Sequence, residues 1–160
     1  MIERRLSEQI TVIILTNKGN SKRLEINDAI LNILSGRSYV FPKRSIAEMM
    51  YEAISKQGFQ AAIKKYQSFR AANDSTYDFS ESELNSLGYQ LLNGNHKTSE
   101  AIEIFRLNTE AYPKSSNAFD SLAEAYEVSG NKELAIKNYQ TAVELDPTNL
   151  HAVEMLKKLR

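Results

Sequence analysis

The sequence predicts a mainly α protein built of stacked helical hairpins, with one short β-strand and a helix ahead of them. Three observations carry that expectation. Near the C-terminus, large, small and aromatic residues follow a fixed order: Phe119, Leu122 with Ala123, Tyr126, then Ala135, Tyr139, Ala142 and Pro147. The order recurs at a 34-residue period, with Ala101, Phe105 and Pro113 standing that distance before Ala135, Tyr139 and Pro147. Between these marks apolar residues return every third or fourth position, as the buried face of an amphipathic helix requires.

The last hairpin sets the pattern. Two antiparallel helices whose axes approach to roughly 8–10 Å leave room only for small side chains at the crossing, and Ala123, Ala135 and Ala142 take those positions. Gly130-Asn131 supplies the turn, and Asp146-Pro147 ends the second helix. This order resembles the tetratricopeptide repeat, whose first helix reads W-x2-L-G-x2-Y and whose second reads A-x3-F before a closing Pro. The resemblance implies an α-α superhelix of about three hairpins plus a capping helix, spread over residues 45–160.

Its units are expected at 116–147, 80–114 and 45–72, with the cap at 148–160. The middle unit carries Leu84, Leu87-Gly88 and Leu91, has one extra residue in the turn Asn93-Gly94-Asn95, and places Asn108 where the period expects alanine. A buried asparagine there needs a hydrogen-bond partner. The earliest unit is degenerate: Ile46, Met49-Met50, Ala53, Gly58, Ala62, Tyr66 and Phe69 keep the rhythm without the closing Pro. Ser45-x-x-Glu48 and Ser80-x-x-Glu83 read as capping boxes at two helix starts. Residues 73–78, Asn-Asp-Ser-Thr-Tyr-Asp, read as a polar linker. In the cap, Val153, Leu156 and Leu159 form an apolar stripe flanked by Lys157, Lys158 and Arg160, as an end repeat with one wet face requires.

Residues 1–44 stand apart. Residues 9–16 are rich in β-branched side chains and read as a strand, Asn17-Lys18-Gly19-Asn20 as its closing turn, and 21–34 as a helix stopped by Ser35-Gly36. One strand leaves its backbone groups unpaired. A homodimer through residues 9–34 is therefore expected, with Val12 and Ile14 on the paired strand. Ile14-Leu15-Thr16-Asn17-Lys18-Gly19, the helix, and Tyr39-Val40-Phe41-Pro42-Lys43 together resemble the end of a serine β-lactamase-like (penicillin-binding family) domain, where a final strand leads into a C-terminal helix and some bacterial members continue into a tetratricopeptide tail. That resemblance implies an alternative role, the regulatory or positioning tail of an exported hydrolase, in the periplasm.

Chemistry is not expected of this chain. The Ser-x-x-Lys, Ser/Tyr-x-Asn and Lys-Thr-Gly elements of such a hydrolase are not assembled; Ser129-Gly130-Asn131-Lys132 is a helix-hairpin turn, and Asn17-Lys18-Gly19 lacks the threonine. His96 and His151 show no metal-ligand spacing and read as surface residues. No cysteine is present, which excludes disulfides and thiolate metal sites. Acidic pairs such as Glu81/Glu83 and Glu100/Glu103 read as first-turn charges favoured by the helix dipole. Twenty basic and twenty acidic residues cancel, so no overall field draws in nucleic acid or an anionic membrane. The apolar run Val12-Ile13-Ile14-Leu15 is too short to span a bilayer.

Binding is what remains: a non-catalytic scaffold for a protein or peptide. The first helix of each hairpin is expected to line a concave face carrying Tyr51, then Asn85, Tyr89 and Leu92, then Asn117, Asp120, Glu124 and Glu127. This face is acidic at one end and partly apolar toward the other, which suits a segment bearing Lys, Arg or a free amine. A clamp for a carboxylate tail is disfavoured by the same charges. No cofactor is implied.

Overall fold

In the computed structural model, residues 2–5, 9–15, 22–94 and 97–159 are described, and they are mainly helical: eight α-helices and two small two-stranded sheets. The chain divides into two compact units, residues 1–44 and 45–160.

In the first unit, β1 (Ile2–Arg5) pairs antiparallel with β2 (Ile10–Ile13), Ile2 facing Ile13 and Arg5 facing Ile10. The expected single strand is thus corrected to a hairpin, because residues 2–5 satisfy the backbone groups that a lone strand would leave open. The strand is also shorter than read: Ile14 lies past its end and is half-buried, and Thr16 and Asn17-Lys18-Gly19-Asn20 lie outside the described residues. Helix α1 (Arg23–Leu34) covers one face of the hairpin, burying Val12, Ala29 and Leu31, while the Asn27 amide donates to the Glu3 carboxylate. Val12 is 7% exposed against 60% for its neighbour Ile13, as strand alternation dictates. Val12 is therefore core, and the residue offered outward is Ile13, not the expected Val12.

The second unit pairs α2 (Ile46–Gln57) with α3 (Phe59–Ala71), α4 (Glu81–Tyr89) with α5 (Thr98–Ala111), and α6 (Ser116–Val128) with α7 (Lys132–Leu145), and α8 (Leu150–Leu159) packs on α7. Each pair is an α-hairpin with a short connection; between α2 and α3 a single residue, Gly58 at φ 89°, makes the turn, a conformation open to glycine at little cost. Two apolar cores result. The larger gathers Met50, Ala62, Tyr66, Leu84, Leu87, Leu91, Ile104 and Phe105; the smaller gathers Ala123, Ala135, Tyr139, Ala142, Ala152 and Leu156. Ala123, Ala135 and Ala142 are fully covered and belong to the smaller core.

Gly88 shows why a small residue is needed in the middle pair. A Cβ built there would lie 2.5–2.8 Å from three atoms of the Phe105 ring, so α4 and α5 reach their separation only because the side chain is absent. The extra residue of the middle turn is absorbed as a π-helical turn over Gln90–Gly94, the usual consequence of inserting one residue into a helix.

Three local readings change. Ser45 caps α2 as expected, its hydroxyl accepting from the Glu48 N–H at 3.1 Å, but the Ser80 hydroxyl makes no such bond to α4. Glu83 does not reach back to its own helix start. Its carboxylate instead accepts from the Ser45 hydroxyl and, at 3.1 Å, from the Ala47 N–H, placing a buried negative charge on the positive end of α2. The expected polar linker is packed: Tyr77 is buried and stacks on Phe69 at 5.0 Å, and Tyr77–Asp78 (β4) pairs with Arg44–Ser45 (β3). Asn108 finds its partner, the Asn108 amide donating to the Glu81 carbonyl at 3.2 Å.

Candidate functional site

The polar residues of α4, α6 and α8 meet along one face. On α6, Asn117, Asp120, Glu124 and Glu127 follow a 3-4-3 spacing that sets them in one stripe. From α4, Glu81 accepts from the Asn117 amide at 2.8 Å, and the Tyr89 hydroxyl donates to Glu124 at 2.7 Å and lies 3.2 Å from the Ser121 hydroxyl. From α8, His151 Nδ1 lies 2.9 Å from both Asp120 oxygens, and Lys158 Nζ lies 3.5 Å from Glu127. The contacts Asp120–His151 and Glu127–Lys158 each span 31 residues; a constant offset means that α6 and α8 run in the same direction. The α4 to α6 contacts, with offsets of 36 and 35, give the same sense.

Between α6, α7 and α8 this face opens into a cleft of about 390 Å³ walled by Glu124, Glu127, Val128, Tyr139, His151 and Met155. Its walls combine two carboxylates with apolar and aromatic surface. Burial raises the pKa of Asp120, an effect that its His151 partner opposes. Burial, reinforced by the neighbouring carboxylates, also holds the Tyr89 and Tyr139 hydroxyls protonated far above neutrality. Both tyrosines therefore serve as hydrogen-bond donors, Tyr89 to Glu124 and Tyr139 to Glu127 at 3.3 Å.

The residues expected on the face divide into those brought together and those that are not. Asn117, Asp120, Glu124, Glu127 and Tyr89 form the linked stripe just described. Asn85 lies on α4 between Glu81 and Tyr89, half-buried, with its side-chain oxygen buried and lacking a hydrogen-bond partner. Tyr51 is half-buried against the larger core. Leu92 is a correction: at 3% exposure it belongs to the core, because the π-helical turn rotates it inward. His96 lies outside the described residues.

Sequence reasoning missed Ser121, Tyr139, His151, Met155 and Lys158. A signal was present, since His151, Met155 and Lys158 stand 34 residues after Asn117, Ser121 and Glu124, so extending the period by one step sets α8 beside α6. His151, expected to be an idle surface residue, is half-exposed but engaged, pairing with Asp120 and packing edge-on to Tyr139 at 6.0 Å. Among the described residues no group of three or more His, Asp or Glu could hold a metal ion, and no helix is long and apolar enough to cross a membrane.

No protein-family model matches this chain, and a comparison with curated proteins finds no match.

Proposed function

We propose that residues 45–160 form a tetratricopeptide-type superhelix acting as a non-catalytic interaction scaffold, which holds a basic peptide or protein segment along the face of α4, α6 and α8. The observation that carries this reading is the α6 carboxylate stripe beside a cleft walled by Glu124, Glu127, Val128 and Met155. An ammonium or guanidinium gains Coulomb attraction from the carboxylates while its methylene stem lies on Val128 and Met155. Parallel first helices and small residues at the crossings support the repeat architecture.

Isothermal titration with a basic-peptide library tests it. Heat beyond dilution is expected, declining as added salt shortens the Debye length below about 10 Å, and lost in Glu124→Gln, which still accepts from Tyr89. Absence of heat across the library counts against the proposal.

A second reading, the regulatory or positioning tail of an exported serine β-lactamase-like hydrolase, is favoured by the first unit, which leaves Ile13, Leu15, Leu24, Val40 and Phe41 exposed. A larger sheet would cover such residues. An in-frame Ser-x-x-Lys domain encoded upstream of Met1 would support this reading. A homodimer through residues 9–34 would cover Ile13, Leu15 and Leu24, and light scattering that reports a monomer at micromolar concentration removes that option.

A further inference from the structure

The α6 stripe is already occupied from within the chain. Each of its four polar side chains has a partner on a neighbouring helix, and the two partners able to carry positive charge, His151 and Lys158, both come from α8. They sit outside the carboxylates they contact: the side chains of His151 and Lys158 are 49% and 68% exposed, against 14% for Asp120 and 28% for Glu127. A cation approaching from solvent therefore meets them before it meets the acids. The seven-residue step from His151 to Lys158 matches the step from Asp120 to Glu127, so a single parallel helix sets one basic group over each end of the stripe. Ala152 and Leu156 anchor that helix in the smaller core.

We propose that α8 is a built-in competitor for this face, with Lys158 and His151 holding positions that the basic groups of an incoming ligand would take. The inference rests on the reading of the face as a basic-peptide site and adds its regulation. Binding requires the α8 side chains to swing aside while the helix stays packed, so the observed affinity is the intrinsic affinity reduced by the fraction of time the face is covered. Lys158 is the better handle for a test, because it is the more exposed and its ammonium can leave Glu127 without opening the core. His151 also packs on Tyr139, so its removal alters more than charge.

The probe is an octalysine peptide, titrated calorimetrically into the full chain and into Lys158→Ala, His151→Gln and Lys137→Ala. Lys137 is an exposed lysine on α7 outside the face, so its variant reports the general effect of losing one positive charge. Lys158→Ala is expected to bind about two- to fivefold more tightly than the parent, the range an exposed ion pair supports, His151→Gln to tighten in the same direction, and Lys137→Ala to match the parent. Far-UV circular dichroism melts establish that the variants are folded. Binding by the parent with no gain in Lys158→Ala, or an equal gain in Lys137→Ala, overturns the competitor role and leaves the peptide-binding reading standing. Absence of binding in the parent and in every variant overturns both, whereas binding by Lys158→Ala alone supports the competitor role in its strongest form.

Discussion

Replacing Gly88 by alanine isolates the packing argument in one atom. The added Cβ would meet three Phe105 ring atoms at 2.5–2.8 Å, and the ring cannot retreat freely because Phe105 is fully buried and stacks edge-on against Tyr89 at 5.1 Å. Overpacking of this kind costs about 1–3 kcal/mol. Alanine's better helix propensity returns roughly 0.5–1 kcal/mol. With three contacts inside the repulsive wall the upper part of the steric range applies, so the net destabilisation is about 2 kcal/mol, or a loss of roughly 5–10 °C in melting temperature for a domain of this size. The chain has no tryptophan, so far-UV circular dichroism through a urea titration is the assay. Gly94→Ala, where an added Cβ meets nothing within 4 Å, serves as the control. If Gly88→Ala is as stable as the parent or more so, α4 and α5 do not approach as described and the small-residue account of the hairpins fails.

Other outcomes follow from the same geometry. Ala135→Leu and Ala142→Leu, at fully covered positions, are expected to cost about 1–3 kcal/mol each, whereas Lys132→Ala on the exposed start of α7 leaves the urea midpoint near the parent's. Glu83→Ala strips the α2 N-terminus of its carboxylate acceptor and is expected to cost about 1–3 kcal/mol, the range for a buried donor left unsatisfied. Asp146 is held below the ordinary carboxylate value of 3.8 chiefly by the Thr148 hydroxyl and also by its N–H. It therefore contributes stability that is present above pH 3.8 and lost as pH falls through its own lower midpoint; Thr148→Val should raise that midpoint in an NMR titration, and an unchanged midpoint refutes the assignment. Asp120 has the opposite sign: burial raises its folded pKa, so stability falls as pH rises from 3.8 through the folded value, and its NMR midpoint should lie above 3.8. In the first unit, Val12→Asp is expected to abolish the hairpin's amide protection in hydrogen exchange, whereas Ile13→Asp leaves it intact.

The linear order of residues by itself determined the helices and their pairing. Helical periodicity, turn glycines and alanines at a fixed interval are local or nearest-neighbour properties, and a hairpin repeat is built from such terms. They marked Ala123, Ala135 and Ala142 as packing positions and placed Asn117, Asp120, Glu124 and Glu127 on one stripe. Tertiary structure decided what those stripes touch. Residues 2–5 carry too few apolar marks to announce a strand, yet they complete the hairpin because β2 offers unpaired backbone groups. Glu83 satisfies the start of a different helix because burial favours whatever donors lie nearest in space. Leu92 turned inward because one inserted residue is absorbed as a π-helical turn, which shifts the helix phase. His151 and Lys158 came to lie on the acidic stripe because the parallel course of α6 and α8 brings residues 31 apart in sequence into contact, a relation that amphipathic patterning within any single helix does not express.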